Sequence, residues 1–295
     1  MRRAIVCLAL SLLAVLTACD PLATPEGPAP LRYRDDVFTT VEEIRGTNAI
    51  TFGSAVDQTG TPVTLKLDLY QPAGDTVTSR PAIVWVHGGS FCCGSRTSPE
   101  IVEEARYFAR KGYVAVSIDY RLANGGCTGS VPVQVCLTAI AHAREDAETA
   151  VRFLRANAAT YRIDPTRIAI GGTSAGAITA LNVGYSNENP SPGDHQGFAS
   201  SVRAAQSLSG AELASGSTIN AGDAPALLFH GTNDGLVPYA WAQSTVDRAE
   251  DAGLLALLRT WEGEGHVPYA AHRTQILTET RNFFYSQMDL AHAAR

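Results

Sequence analysis

The chain has no cluster of basic residues, no internal repeat, and no histidine at ligand spacing from its few cysteines. The first absence argues against a nucleic-acid partner. The second argues against a solenoid or propeller. The third gives no reason to expect a metal centre. Beyond residue 18, no apolar run is long enough to span a bilayer. The formal charge is −6 and becomes −8 if a leader carrying Arg2 and Arg3 is removed. An acidic surface does not attract anionic lipid, so membrane attachment would have to rest on acyl chains.

The front end supplies such a chain. Met1-Arg2-Arg3 is a basic start, and residues 4–18 are apolar. That suits the core of a secretory signal and is short for a membrane span. The run ends Leu16-Thr17-Ala18-Cys19, which resembles the lipobox of bacterial lipoproteins. An ordinary signal peptide cut near Ala18 is the plainer alternative. Residues 20–30 are rich in proline and read as a tether. The organisation expected is a signal peptide over 1–18, a lipidated N-terminus, tether and approach over 19–46, and one catalytic domain over 47–295. Removing the signal leaves roughly 275 residues, within reach of a single large α/β domain. An exported chain anchored at Cys19 would face the periplasm or the cell exterior.

Four cysteines remain after Cys7 leaves and Cys19 is lipidated: Cys92, Cys93, Cys127 and Cys136. An even number in an exported protein predicts disulfides. Cys127–Cys136 is favoured because it would pin the Gly-rich segment 124–135. Cys92 and Cys93 would then be a vicinal pair or free thiols, and cross-pairing of the two segments is the rival.

Along the chain, residues 63–70 alternate apolar and polar, as a half-buried strand does, with 48–56 as its hairpin partner. Continuous apolar runs at 82–86 and 113–118 read as strands buried on both faces. Further strands are expected at 167–170, 202–208, 226–229 and 254–261. Helices are expected at 100–111, 139–159, 175–185, 239–252 and 274–287. Strand and helix alternate from residue 82 onward. That predicts an α/β fold with a mostly parallel central sheet of about eight strands and helices on both faces.

The chemistry centres on Gly172-Thr173-Ser174-Ala175-Gly176. A serine in a sharp strand-to-helix turn presents its hydroxyl above the sheet, and small neighbours let strand and helix nearly touch. Ser174 is the candidate nucleophile. A hydroxyl is weak at neutral pH and needs a base to take its proton. His266, in the Gly-flanked loop after the last strand, fits that role. The histidine needs an acid to fix its tautomer. Asp234, just past a buried strand, fits; Asp223 and Asp247 are poorly placed. His272 is the rival base but is expected to open a helix. His230 is read as shaping the acid loop. The order Ser174, Asp234, His266 is that of α/β-hydrolases. His87-Gly88-Gly89-Ser90-Phe91 follows a buried strand. Gly88 and Gly89, with the N–H of Ala175, are candidate oxyanion donors, each worth roughly 3 kcal/mol of barrier. Ser90, Phe91, Tyr120 and Tyr239 are candidate substrate contacts, with Trp241 beside them. No cofactor is implied.

With these residues in hand, the chain resembles an α/β-hydrolase of the carboxylesterase and hormone-sensitive-lipase-like group, closest to bacterial BD-FAE-like esterases. Similar segments are Leu67-Asp68-Leu69-Tyr70-Gln71-Pro72, His87-Gly88-Gly89, Asp119-Tyr120-Arg121-Leu122, residues 163–176, and His230-Gly231-Thr232-Asn233-Asp234. They span residues 63–266. The resemblance implies an α/β-hydrolase fold, and it gives Asp146 a buttressing role behind the site. The family's oxyanion loop often reads H-G-G-G, whereas this chain has Ser90 last. The Cys92-Cys93 pair and the 127–136 insert also depart from the pattern, where the family builds its substrate pocket.

Residues 210–225 are too few for a large helical lid. The expectation is an open cleft taking esters with small to medium acyl groups. Two rivals share the scaffold. A peptidase of prolyl-oligopeptidase type uses the same triad order, but its gating domain is not seen. A non-catalytic surface binding protein would ordinarily have lost part of the triad, which this chain keeps.

Overall fold

The computed structural model describes residues 31–129, 132–187, 189–213 and 219–292. The signal segment, Cys19 and the tether lie outside the described residues, as does the middle of the 210–225 connection. Among the described residues, no helix is long and apolar enough to cross a membrane.

The elements are β1 (Val41–Ile44), β2 (Ile50–Val56), β3 (Pro62–Pro72), β4 (Arg80–Val86), α1 (Pro99–Ala109), β5 (Val114–Ile118), α2 (Val133–Ala156) and α3 (Ala158–Tyr161), then β6 (Ile163–Thr173), α4 (Ala175–Gly184), β7 (Ala205–Leu208), β8 (Ala226–Gly231), α5 (Tyr239–Asp251), β9 (Ala256–Trp261) and α6 (Tyr269–Gln287). They build one nine-stranded sheet in the order β1-β3-β5-β4-β6-β7-β8-β9, with β2 also pairing β3. The ladders from β5 to β9 are parallel, and β3 runs antiparallel to β5. β2 pairs with the first half of β3 and β1 with its end, Val41 opposite Pro72.

The central strands are buried on both faces, and their alternation sorts side chains between two cores. In β4, Ala82, Val84 and Val86 join the core under α2, α4 and α5. Ile83 and Trp85 point the other way, to Phe108 of α1 and Phe284 of α6. Every central βα unit therefore delivers its strand's C-terminal end to one edge of the sheet, where open α/β sheets place their sites.

Two helix starts are corrected and one strand is added. Among the described residues the sheet has nine strands, in keeping with the expected number of about eight. The missed strand, β1, reads Val-Glu-Glu-Ile, too short and too charged to show an alternating apolar face. It is an edge strand, and Arg106 of α1 holds its Glu43 with two hydrogen bonds of 2.6 and 3.0 Å. The long helix α2 begins at Val133, so it includes Cys136. α6 begins at Tyr269 and contains His272, which stacks on Trp261 with ring centroids 4.0 Å apart. The first turn of α2, Val133-Gln134-Val135-Cys136, alternates apolar and polar as a strand does, and Pro268 directly before α6 obscures where that helix starts.

Candidate active site

The turn between β6 and α4 holds Ser174 at φ 55° and ψ −117°, a left-handed conformation that a side-chain-bearing residue adopts only under constraint. The constraint is visible. The Ser174 N–H donates to the Leu208 carbonyl at 2.8 Å, locking the turn to β7. A Cβ on Gly176 would lie 2.0 Å from the Val86 carbonyl oxygen, so only glycine lets α4 approach β4 this closely.

The structure brings Ser174, His266 and Asp234 together from three loops. His266 Nε2 lies 2.8 Å from Ser174 Oγ, and His266 Nδ1 lies 2.8 Å from Asp234 Oδ2. A carboxylate only accepts, so Nδ1 carries the proton and Nε2 is free to accept one from the serine. The loops are tied to each other. Asn233 N–H donates to the Glu264 carbonyl at 2.9 Å, and Gly263 N–H to Thr232 Oγ1 at 2.8 Å. Val267, at φ 52°, donates its N–H to Ser209 Oγ at 3.0 Å, which fixes the chain just after the histidine.

Asp234 is held as an anion. Burial pushes its carboxyl up, but hydrogen bonds from His266 and from the Val237 and Leu236 N–H groups outweigh that and keep it below the ordinary range. His230 backs the same carboxylate, its Nε2 lying 3.2 Å from Asp234 Oδ2 and 2.8 Å from the Val237 carbonyl. Burial lowers the His230 pKa, so the ring is neutral.

The loop after β4 brings Gly88 and Gly89 beside Ser174. Among the described residues, the N–H groups of Gly88, Gly89 and Ala175 meet no acceptor, which leaves them free for a bound oxygen. Gly89 has φ +120°, and a Cβ there would lie 2.1 Å from the Cys93 carbonyl oxygen. His87 is buried and turned inward. Its Nδ1 donates to the Gly88 carbonyl at 2.7 Å, and burial lowers its pKa.

Two cavities meet at Ser174. One, of about 390 Å³, is walled by Ser90, Phe91, Ile140, Ile178, Leu236 and Trp241, and by both sulfur-bearing residues of the Cys127–Cys136 disulfide. The other, of about 380 Å³, runs past Gly88, Gly94, Ser98, Glu100, His266 and Val267. Ser90, Phe91 and Trp241 line the apolar cavity. Tyr120 does not. It is buried behind the oxyanion loop, stacked on His87 at 4.3 Å with its hydroxyl on the His87 carbonyl. Tyr239 also turns away, donating to or accepting from Thr260 Oγ1 at 2.7 Å. Both tyrosines sit next to site loops in sequence but find their hydroxyl partners in the scaffold. Sequence reasoning missed Leu137, Ile140, Ile178 and Leu236, whose only signal was their place on helices or loops leading from the site. The favoured disulfide is formed, while Cys92 and Cys93 are free with sulfurs 2.8 Å apart. Asp146 accepts from the Arg121 main chain at 2.7 Å and from its Nε at 2.9 Å, fixing the turn after β5.

This sheet, with a strained serine above its parallel strands and a histidine and aspartate from the next loops, defines an α/β-hydrolase. The chain belongs to that superfamily and is similar to its carboxylesterase-like members. Residues 67–209 match the BD-FAE family model, and residues 202–287 match that of TAP-like protein. Phenmedipham hydrolase of Pseudarthrobacter oxydans is 38% identical over 117 residues, which is 39% of this chain and 22% of that protein. Arylacetamide deacetylase-like 2 of Homo sapiens is 33% identical over 137 residues, 45% of this chain and 31% of that protein. The chain thus spans about a fifth to a third of the length of these curated relatives. Among solved structures, butyrate-bound esterase 2 of Thermogutta terrifontis superposes with a TM-score of 0.63 and 26% identity, over 77% of this chain and 90% of that one.

Proposed function

We propose that the protein is a serine carboxylic-ester hydrolase acting through an acyl-enzyme on esters of small to medium acyl groups. The observation that carries this reading is the unbroken chain Asp234–His266–Ser174, with both links at 2.8 Å. Ser174 Oγ attacks the ester carbonyl carbon while its proton passes to His266 Nε2. The carbonyl electron pair moves to the oxygen, which the N–H groups of Gly88, Gly89 and Ala175 receive. Collapse of that intermediate breaks the carbon–alkoxy bond, and the leaving oxygen takes the proton from His266 Nε2. Water then attacks the acyl-serine, giving its proton to His266, which returns one to Ser174 Oγ as the acid departs.

The two cavities receive the two halves of the ester. The leaving oxygen must meet His266 Nε2, so the alcohol emerges along the cleft that His266 lines. The acyl group then fills the apolar cavity, with Leu137, Leu236 and Trp241 partly in solvent at its mouth. Its volume suits a chain of modest length, and the butyrate in the Thermogutta enzyme favours the same range. The basic leader and its lipobox-like end support export and anchoring through Cys19.

The test is hydrolysis of p-nitrophenyl esters from acetate to palmitate by the purified protein and its Ser174→Ala variant. Activity highest on acetate to octanoate, and lost in the variant, is expected. A folded protein inert on the whole series, or unlabelled by a fluorophosphonate, would sink the reading.

A further inference from the structure

A third cavity, of about 620 Å³, opens beside the alcohol cleft and is lined by Arg45, Arg106, Arg110 and Arg273, with Glu103 and Thr97 among them. Thr97 and Pro99 face this cavity, while Ser98 and Glu100 face the catalytic cleft. Residues 97–100 are therefore the wall the two spaces share.

Four guanidiniums around one space are notable in a chain of net charge −6. Internal pairing does not exhaust them. Arg45 and Arg106 share the single carboxylate of Glu43. Asp36 serves both Arg110 and Lys111. Glu103 pairs with Arg273. Cations thus outnumber carboxylates. Arg110 reaches Asp36 only through Nε, at 3.4 Å, and Arg106 spends Nε and Nη2 on Glu43. Among the described residues, both Nη atoms of Arg110 and Nη1 of Arg106 meet no hydrogen-bond acceptor. All four side chains are between a third and a half exposed, so a ligand reaches them without unfolding the pairs. The open fork of Arg110, with the free Nη1 of Arg106 and a net positive charge around it, matches the geometry of an oxyanion.

We propose that this cavity is an anion subsite that holds a carboxylate or phosphate group carried by the alcohol half of the substrate. The location relative to the alcohol cleft rests on the esterase reading; the anion binding itself does not. Glu100, on the cleft side of the shared wall, disfavours an anion there, so the charged group must lie past residues 97–100 rather than beside Ser174.

The experiment separates the two. Calorimetric titration of the full-length Ser174→Ala protein with citrate, inorganic phosphate and glucose, at low ionic strength, is the first arm. Saturable binding of citrate or phosphate, absent for glucose and weakened about tenfold or more by Arg45→Gln/Arg110→Gln, is expected. Whichever anion binds more tightly identifies the group. No saturable binding of either, or equal affinity in a double variant with an unchanged melt, overturns the subsite. In the second arm, the wild-type enzyme is compared on the acetyl esters of glucuronic acid and of glucose. A lower KM for the charged ester, with the preference lost in the double variant, is expected. Equal KM values would detach the cavity from the alcohol cleft. Hydrolysis of neither sugar ester by an enzyme active on p-nitrophenyl butyrate would also detach the cavity from the alcohol cleft, whereas inactivity on these and on the whole p-nitrophenyl series, with anion binding intact, would sink the esterase reading and leave the anion site standing.

Discussion

The main-chain N–H of Cys127 donates to the carbonyl of Ser90 at 2.8 Å, joining a disulfide to the loop that carries Gly88 and Gly89, the candidate oxyanion donors. Ala123 N–H adds a second bond, to the Phe91 carbonyl at 2.9 Å. Cys136 lies in the first turns of α2, so the bridge ties that helix to the oxyanion loop. Both half-cystines also wall the apolar cavity. The bridge closes a loop with a sequence separation of nine. Opening it by Cys127→Ser/Cys136→Ser is expected to cost about 2–3 kcal/mol. It should also lower kcat/KM for butyrate more than for acetate, because the longer acyl group touches the loosened wall. Denaturant melts and a two-substrate comparison check both parts; an unchanged acetate-to-butyrate ratio would mean the bridge is structural only.

The nucleophile turn depends on missing side chains. A Cβ on Gly172 would sit 2.4 Å from the Gly176 carbonyl oxygen, and one on Gly176 would sit 2.0 Å from that of Val86. Both clashes are with backbone that no rotamer can move. Gly172→Ala and Gly176→Ala are each expected to cost about 4 kcal/mol or more, leaving little soluble protein. Ser174→Ala should fold normally, since among the described residues Ser174 Oγ is bonded only to the His266 ring. Soluble yield and near-ultraviolet circular dichroism distinguish the two classes of variant.

These same residues explain what the sequence could reveal. Ser174 and Asp234 were legible because each follows a strand end buried on both faces, an unbroken apolar run, whereas His266 follows the half-buried edge strand β9 and was legible from its Gly-flanked loop. Gly88 and Gly89, the candidate oxyanion donors, stood out because a close backbone approach such as theirs favours glycine. The disulfide was legible because a Cys127–Cys136 bridge pins the Gly-rich segment 124–135. The pocket lining was not, because Ile140 and Ile178 look like any other apolar residue on the inner face of a helix. Tyr120 and Tyr239 misled for the opposite reason: an aromatic near a site loop carries no mark of which way it points. β1 escaped because its partner, the end of β3, is 25 or more residues distant and its charges are met far along the chain, Glu43 by Arg106 of α1 and Glu42 by Gln71 of β3.

Asp234 stands between two imidazoles, and only one of them faces the serine. The Val237 carbonyl can only accept, so His230 Nε2 carries a proton that also points at Asp234 Oδ2, 3.2 Å away. His230 is a positioning residue that stops the carboxylate from turning away from His266. His230→Phe keeps the ring's bulk but removes the donor. It is expected to lower kcat about tenfold to a hundredfold while changing KM little, and His230→Gln should recover part of the loss. Equal loss in both variants, or an effect confined to KM, would make His230 a packing residue instead.

Two buried carboxyls give the stability opposite dependences on pH. Asp234 has a folded pKa below its unfolded value, so its contribution is complete above about pH 4 and is lost as the pH falls through the folded value. Glu104, on α1, is 1% exposed, and its Oε2 has no hydrogen-bond partner. Burial drives its pKa well above the ordinary range, with Glu100 and Glu103 adding to the shift. A carboxyl whose folded pKa is raised binds its proton more tightly in the native state. Stability therefore falls as the pH rises from the unfolded value, about 4.3, toward the folded one. Glu104→Gln keeps the shape of the protonated acid and cannot ionise. The variant should match the wild type at pH 4 and exceed it at pH 8, by a margin that grows between the two. Thermal melts across that range decide the matter: a variant less stable at pH 8 would show that Glu104 is ionised in the native protein and finds a partner in doing so.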